Sequence, residues 1–250
     1  MPGQQVDADQ EALVRELMEI SGVKAACEHV ALSVPGLAKE AASWTDMPYE
    51  TLHKVFSEVL RPELFYRGVE NHLNKNFNRA YCLQALEWLR SPLGRKITQA
   101  EVEADLPDSQ PRAESYAKQL QRTPPTQRRM ELIERLAEAT GSVELMAEMF
   151  GGFIEGVASP WGQLTADGSA SLRKLIRAAA AGSPSLTYPY RALTSEELTK
   201  YIQFLESDAG KWCQKTTQEG FKQVWLARAE EAGKQLAKAG AGKGRVTKPE

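Results

Sequence analysis

The sequence predicts an all-α protein made of two tandem, pseudo-symmetric helical-bundle repeats. Three observations carry that expectation. Apolar residues recur at helical spacing along most of the chain, strand-like composition is confined to one proline-bearing stretch, and two short motifs each occur twice in the same order.

The first motif is an amphipathic helix ending in glycine. "EALVRELMEISG" places Leu13, Val14, Leu17, Met18 and Ile20 on one stripe, and "MELIERLAEATG" does the same with Leu132, Ile133 and Leu136. Leu13 matches Leu132, Leu17 matches Leu136, Glu19 matches Glu138 and Gly22 matches Gly141, all at an offset of 119 residues. The second motif is "WLRSPLGRK" against "FLESDAGKW", where Trp88, Leu89, Ser91 and Gly94 match Phe204, Leu205, Ser207 and Gly210 at an offset of 116. The two glycines of a unit lie 72 residues apart in one half and 69 in the other. A duplicated unit of about 95 residues explains this order and spacing, and its period is too long for a solenoid.

The segments then follow in order: 8–106 as the first helical repeat, 107–129 as a proline-rich connector, 130–234 as the second repeat and 235–250 as a flexible basic tail. Within the repeats, Thr194 and Glu197 of "LTSEEL" have the spacing of a capping box, and Asn78 stands where Thr194 does. Ser91 followed by Pro92 caps and begins a helix, because proline's missing N–H costs nothing at the first helical position. Ser207 followed by Asp208 does the same, with an acid at the positive end of the helix dipole. Gly94 and Gly210 then read as close-packing points, so Ser91, Gly94, Ser207 and Gly210 are expected to be structural joints. A continuous helix kinked at Pro92 is the alternative. Four prolines punctuate the connector, with a short helix over 113–121. The tail from Gln235, "QLAKAGAGKGRVTKPE", is expected to fray after the last helix. "SPSLTYPYRAL" is read as an extended loop because its prolines disfavour a sheet strand.

Composition narrows the function classes. A net charge of -2 gives no general attraction to nucleic acid, and Arg122, Arg128 and Arg129 lie among prolines without interleaved aromatics. No apolar run approaches the roughly 20 residues that span a bilayer. The N-terminal "MPGQQVDADQ" is polar and lacks the regions of a signal peptide. Two readings follow, a cytoplasmic protein or a mature exported form.

Cys27, Cys82 and Cys213 are far apart and form no C-x-x-C pair, so no metal site is expected. Each sits in an apolar helical context, where a free cysteine packs as a small hydrophobe. A Cys27–Cys82 disulfide is the sharper alternative. No P-loop, dinucleotide-binding or nucleophile-elbow motif occurs, and no cofactor is expected. His29, His53 and His72 lack a second ligand at helical spacing. Glu101, Glu103 and Asp105 lack calcium-loop spacing and read as a solvated face. Gly151-Gly152 costs about 2 kcal/mol of helix propensity, which close helix packing, a kink or a ligand against the backbone would offset. Most aromatics are core filler. Tyr188 and Tyr190, in the proline-bearing loop, are the aromatics most open to exposure and form the candidate binding surface, set against ordinary loop packing, the reading the residues favour.

The repeated unit resembles a bacterial family known as domain of unknown function 2059 (DUF2059). "LVRELMEISG" and "LIERLAEATG" carry the resemblance in part, "LTSEELTKYIQFLESDAGKW" carries it more specifically, and "FNRAYCLQALEWLRSPLGRK" is a looser copy. The resemblance implies a helical fold and export to the periplasm, and it brings no catalytic residue or ligand with it. Taken together, the sequence is read as a non-enzymatic envelope protein that binds a protein or a small apolar ligand between its halves. The rivals are an enzyme with dispersed residues such as Glu70, His72 and Tyr81, and a cytoplasmic interaction scaffold.

Overall fold

The helical periodicity becomes twelve α-helices among the described residues, with no strand. The computed structural model describes residues 8–162, 165–181 and 187–240. The first six helices are α1 (Ala8–Ile20), α2 (Val23–Trp44), α3 (Tyr49–Val59), α4 (Pro62–Lys75), α5 (Arg79–Arg90) and α6 (Pro92–Ala104). Next come α7 (Gln110–Arg122), α8 (Gln127–Thr140), α9 (Ser142–Ala158) and α10 (Ala166–Ala181). Last are α11 (Ser195–Glu206) and α12 (Asp208–Ala239). Thr187 to Tyr190 is a turn ending in a short 3-10 segment, and the preceding 183–186 of the expected loop lie outside the described residues.

Local chemistry sets the breaks. Gly22 and Gly141 take left-handed φ values of 83° and 58°, which let α1 turn into α2 across Ser21-Gly22 and α8 into α9 across Gly141 alone. Ser91 Oγ accepts the Gly94 N–H at 3.0 Å, and Ser207 Oγ accepts the Gly210 N–H at 3.1 Å. Both serines are extended N-caps, so α5 and α6 are separate helices rather than one kinked rod. A Cβ on Gly94 would lie closer than 3.0 Å to the Trp88 carbonyl oxygen, and one on Gly210 equally close to that of Phe204. The glycines are therefore required by close approach to the preceding helix end, not by φ. Asn78 caps α5 through Tyr81 N–H at 3.1 Å, and Thr194 with Glu197 forms a complete capping box on α11.

The core is organised by α12, which at 32 residues is about 48 Å long. Its buried face is mostly small, including Ala209, Gly220, Ala229, Ala232 and Gly233. That permits close packing on two sides. Gly220 sits against Val69 and His72 of α4, and Gly233 against the Gly156 and Val157 carbonyls at the end of α9. Gly152 of α9 faces Leu226, so the Gly151-Gly152 pair is offset by helix packing. Trp225 is the bulky exception, meeting Phe65, Phe153 and Phe221 and donating its indole N–H to the Met149 carbonyl at 2.9 Å.

One apolar core joins α1–α5 to α9 and α12, and a second joins Ile97 of α6 to α8, α11 and Leu193. Packing therefore crosses the connector, and residues 106 and 130 do not separate two cores. The expected tail begins too early. α12 continues to Ala239 and Leu236 is fully buried, because Ala229, Ala232 and Leu236 extend the same apolar stripe. Residues 241–250 of that tail lie outside the described residues.

Candidate functional site

Ser91, Gly94, Ser207 and Gly210 act on the backbone, but the two glycines also converge on one place. They line a cavity of about 80 Å³ closed by the last turns of α5 and α11 and the first turns of α6 and α12. Its walls are Trp88, Leu89, Ile97 and Phe204, with Cys213 between the helices. Trp88 stacks on Phe204 with ring centroids 4.8 Å apart, and on Tyr201 at 6.3 Å.

Two polar groups mark this cavity. Glu101 lines it, and its Oε1 accepts both the Tyr190 and the Tyr201 hydroxyls at 2.8 Å. Burial pushes the Glu101 carboxyl above its ordinary range, opposed by the two tyrosine hydrogen bonds and assisted by the like charge of Asp105. Among the described residues no lysine or arginine is ion-paired with Glu101. Ser21, at the α1–α2 turn, also lines the cavity, and its Oγ is buried with no hydrogen-bond partner.

Glu101 was expected on a solvated acidic face, and the structure corrects this. The signal lay in register: Gly94, Ile97 and Glu101 fall on one helical stripe, so the acid shares the buried side of α6. Tyr188 and Tyr190 are corrected in the opposite direction. Both are buried, not exposed. Arg112 Nε donates to the Tyr188 hydroxyl at 3.2 Å, and the Arg191 guanidinium lies 3.9 Å from the Tyr188 ring centroid. Arg129 holds the segment from outside through the Tyr190 and Leu193 carbonyls, both at 2.8 Å. A loop with two prolines looked solvated, but its aromatics needed burial more than its backbone needed water.

The dispersed trio Glu70, His72 and Tyr81 is engaged with different partners. Arg15 donates to Glu70 at 3.2 Å, His72 Nδ1 lies 3.2 Å from Gln223 Oε1, and Tyr81 sits in the first turn of α5. All three cysteines are buried thiols without a disulfide.

A larger, open groove of about 490 Å³ runs between the α8–α9 turn and α12. Two of its acids are paired: Lys222 meets Glu148 at 2.5 Å, and Arg177 from α10 takes both oxygens of Glu144 at 2.6 Å. That is the pattern of a solvated surface. The cavity beside Glu101 instead holds a carboxylate without a cationic partner and a buried, unpartnered hydroxyl. No helix among the described residues is long and apolar enough to cross a membrane. Compared with known proteins, the chain matches no family model, no curated protein and no solved structure.

Proposed function

We propose that the protein is a non-enzymatic helical binding protein built from two copies of one unit, holding a small, largely apolar ligand in the seam between them. The observation that carries this reading is the cavity itself. Residues of the first copy (Trp88, Leu89, Gly94, Ile97) and of the second (Phe204, Leu205, Gly210, Cys213) line it at positions related by the 116-residue offset. The duplication is further supported by the paired features around it: left-handed Gly22 and Gly141, and the serine caps at Ser91 and Ser207. The copies correspond to 8–106 and 130–234, with α12 of the second filling the core of the first.

The size of the cavity limits the ligand. At about 30 Å³ per water-sized volume, 80 Å³ admits only a few heavy atoms. Titration with xenon and 1-propanol, followed through the Trp88 indole NMR signal, tests this. Saturable binding that disappears in Cys213→Leu, which fills the cavity, supports the proposal. Absence of binding by either probe, or binding unchanged in Cys213→Leu, removes it. The setting that the DUF2059 resemblance implies, the bacterial periplasm, belongs to the same reading. Fractionating cells that express the full-length gene checks it, and recovery in the cytoplasm would exclude it.

A further inference from the structure

We propose that the seam cavity recognises a small primary alkylammonium ion, with Glu101 accepting from the ammonium head. This rests on the seam as the ligand site and adds the chemistry of the ligand.

The argument begins with Glu101. Two tyrosine hydroxyls donate to the same oxygen, Oε1, so both bonds are made to an acceptor. Tyr190 and Tyr201 are themselves buried and held in place by their rings, whose centroids lie 6.1 Å apart. A carboxylate in this position is oriented but not neutralised. Its only charged neighbour of note, Asp105, has the same sign. A half-buried carboxylate without a cationic partner is costly, and a cation entering the cavity relieves that cost.

The remaining wall selects among cations. Ser21 Oγ is a second acceptor, buried and unpartnered. The rings of Trp88 and Tyr201 also line this space, stacked on one another with centroids 6.3 Å apart. A metal ion would need more ligands than are present: no group of three histidine, cysteine or acidic side chains is placed to hold one among the described residues. Leu89, Ile97 and Leu205 instead offer apolar walls for a short alkyl chain, with Thr98, Gln214 and Thr217 as the polar remainder of the lining. Three or four heavy atoms is about the size that fits.

The test uses the full chain in isothermal titration calorimetry with propylammonium chloride, 1-propanol and potassium chloride at constant ionic strength. The expected result is propylammonium binding at least tenfold tighter than 1-propanol, with no response to potassium. In Glu101→Gln, whose Oε1 still accepts from both tyrosines, that preference should fall to within about twofold while 1-propanol still binds. Should Glu101→Gln fail to fold, Cys213→Leu serves instead and should abolish propylammonium binding. Equal or tighter binding of 1-propanol by the unsubstituted protein overturns this proposal and leaves the seam reading standing. A response to potassium equal to that of propylammonium also overturns it. Binding of none of the three overturns both.

Discussion

Trp88 and Phe204 lie face to face, their ring centroids 4.8 Å apart and their planes 9° from parallel. Each is the residue three positions before a capping serine, one ending α5 and the other α11. The stack therefore ties the two joints together directly. Replacing either ring with alanine should cost about 2–3 kcal/mol, at the lower end for aromatics because both are only half-buried. In a double-mutant cycle by urea denaturation, the coupling should be about 0.5–1.5 kcal/mol. Additive single effects would show that the rings merely fill space.

The joints should fail through their backbone. Gly210→Ala places a methyl against the Phe204 carbonyl, where no rotamer can move it, and should destabilise by about 2 kcal/mol or more. Ser207→Ala removes the cap and the hydroxyl's bond to the Phe204 carbonyl without adding a clash, and should cost about 1 kcal/mol. Gly94→Ala and Ser91→Ala should follow the same ranking. A Gly210 variant of unchanged stability that had lost binding would reassign the glycine from architecture to ligand contact.

How far the sequence could be read follows from the range of the interactions involved. Caps and turns such as Ser91, Thr194 and Gly141 depend on neighbours a few residues away, and their chemistry is visible in the string. The all-helical class was visible for the same reason. The destination of α12 was not. Its small residues suit several partners, and nothing local states that Gly220 meets α4 while Gly233 meets α9. Glu101 was missed because its tyrosine partners are 89 and 100 residues away. For Tyr190 the proline-bearing loop leaves exposure and packing both open in the sequence, and the ring's apolar area decides for burial.

A mirrored ion pair offers a test of the proposed duplication. Arg90 of α5 donates to both oxygens of Glu16 on α1, at 2.8 and 2.7 Å. Offset by 119 and 116 residues, Arg135 of α8 pairs with Glu206 of α11, so acid and base stand in exchanged places. If the sites are equivalent, the double swap Glu16→Arg with Arg90→Glu should fold as well as the original, within about 0.3 kcal/mol. Either single reversal should cost about 0.5–1 kcal/mol, since these are partly exposed pairs screened by water. Chemical denaturation at low salt reads the difference. A double swap no better than the singles would mean the two pairs sit in different geometries.

The cysteines should be inert. Burial pushes the thiols of Cys27 and Cys213 up to about 12 and that of Cys82 up to about 11. At pH 8 roughly one part in a thousand or less is thiolate, and the thiolate is the reactive species. A disulfide reagent should label none of the three rapidly in native buffer and all three in denaturant. Fast native labelling of Cys213 would mean that the seam opens to solvent.

Glu101 should leave a signature in the pH dependence of stability. Burial raises its folded-state pKa above the ordinary 4.5, so folding favours the protonated acid. The stabilisation from that proton is complete below 4.5 and is lost as pH rises through the folded-state value. Acids held low by exposed arginine or lysine partners, such as Glu206 and Glu144, change in the opposite sense. They are common to both proteins when the original is compared with Glu101→Gln, so they cancel in the difference. Melting temperatures of the two should converge or favour the original in acid, and Glu101→Gln should gain on it as the solution becomes neutral. Saturating propylammonium should then raise the original more at neutral pH than in acid, because it supplies the missing charge only when Glu101 is ionised. A pH-independent gap between the two proteins would mean that Glu101 titrates as an ordinary surface acid, and the seam would lose the group that gives it charge selectivity.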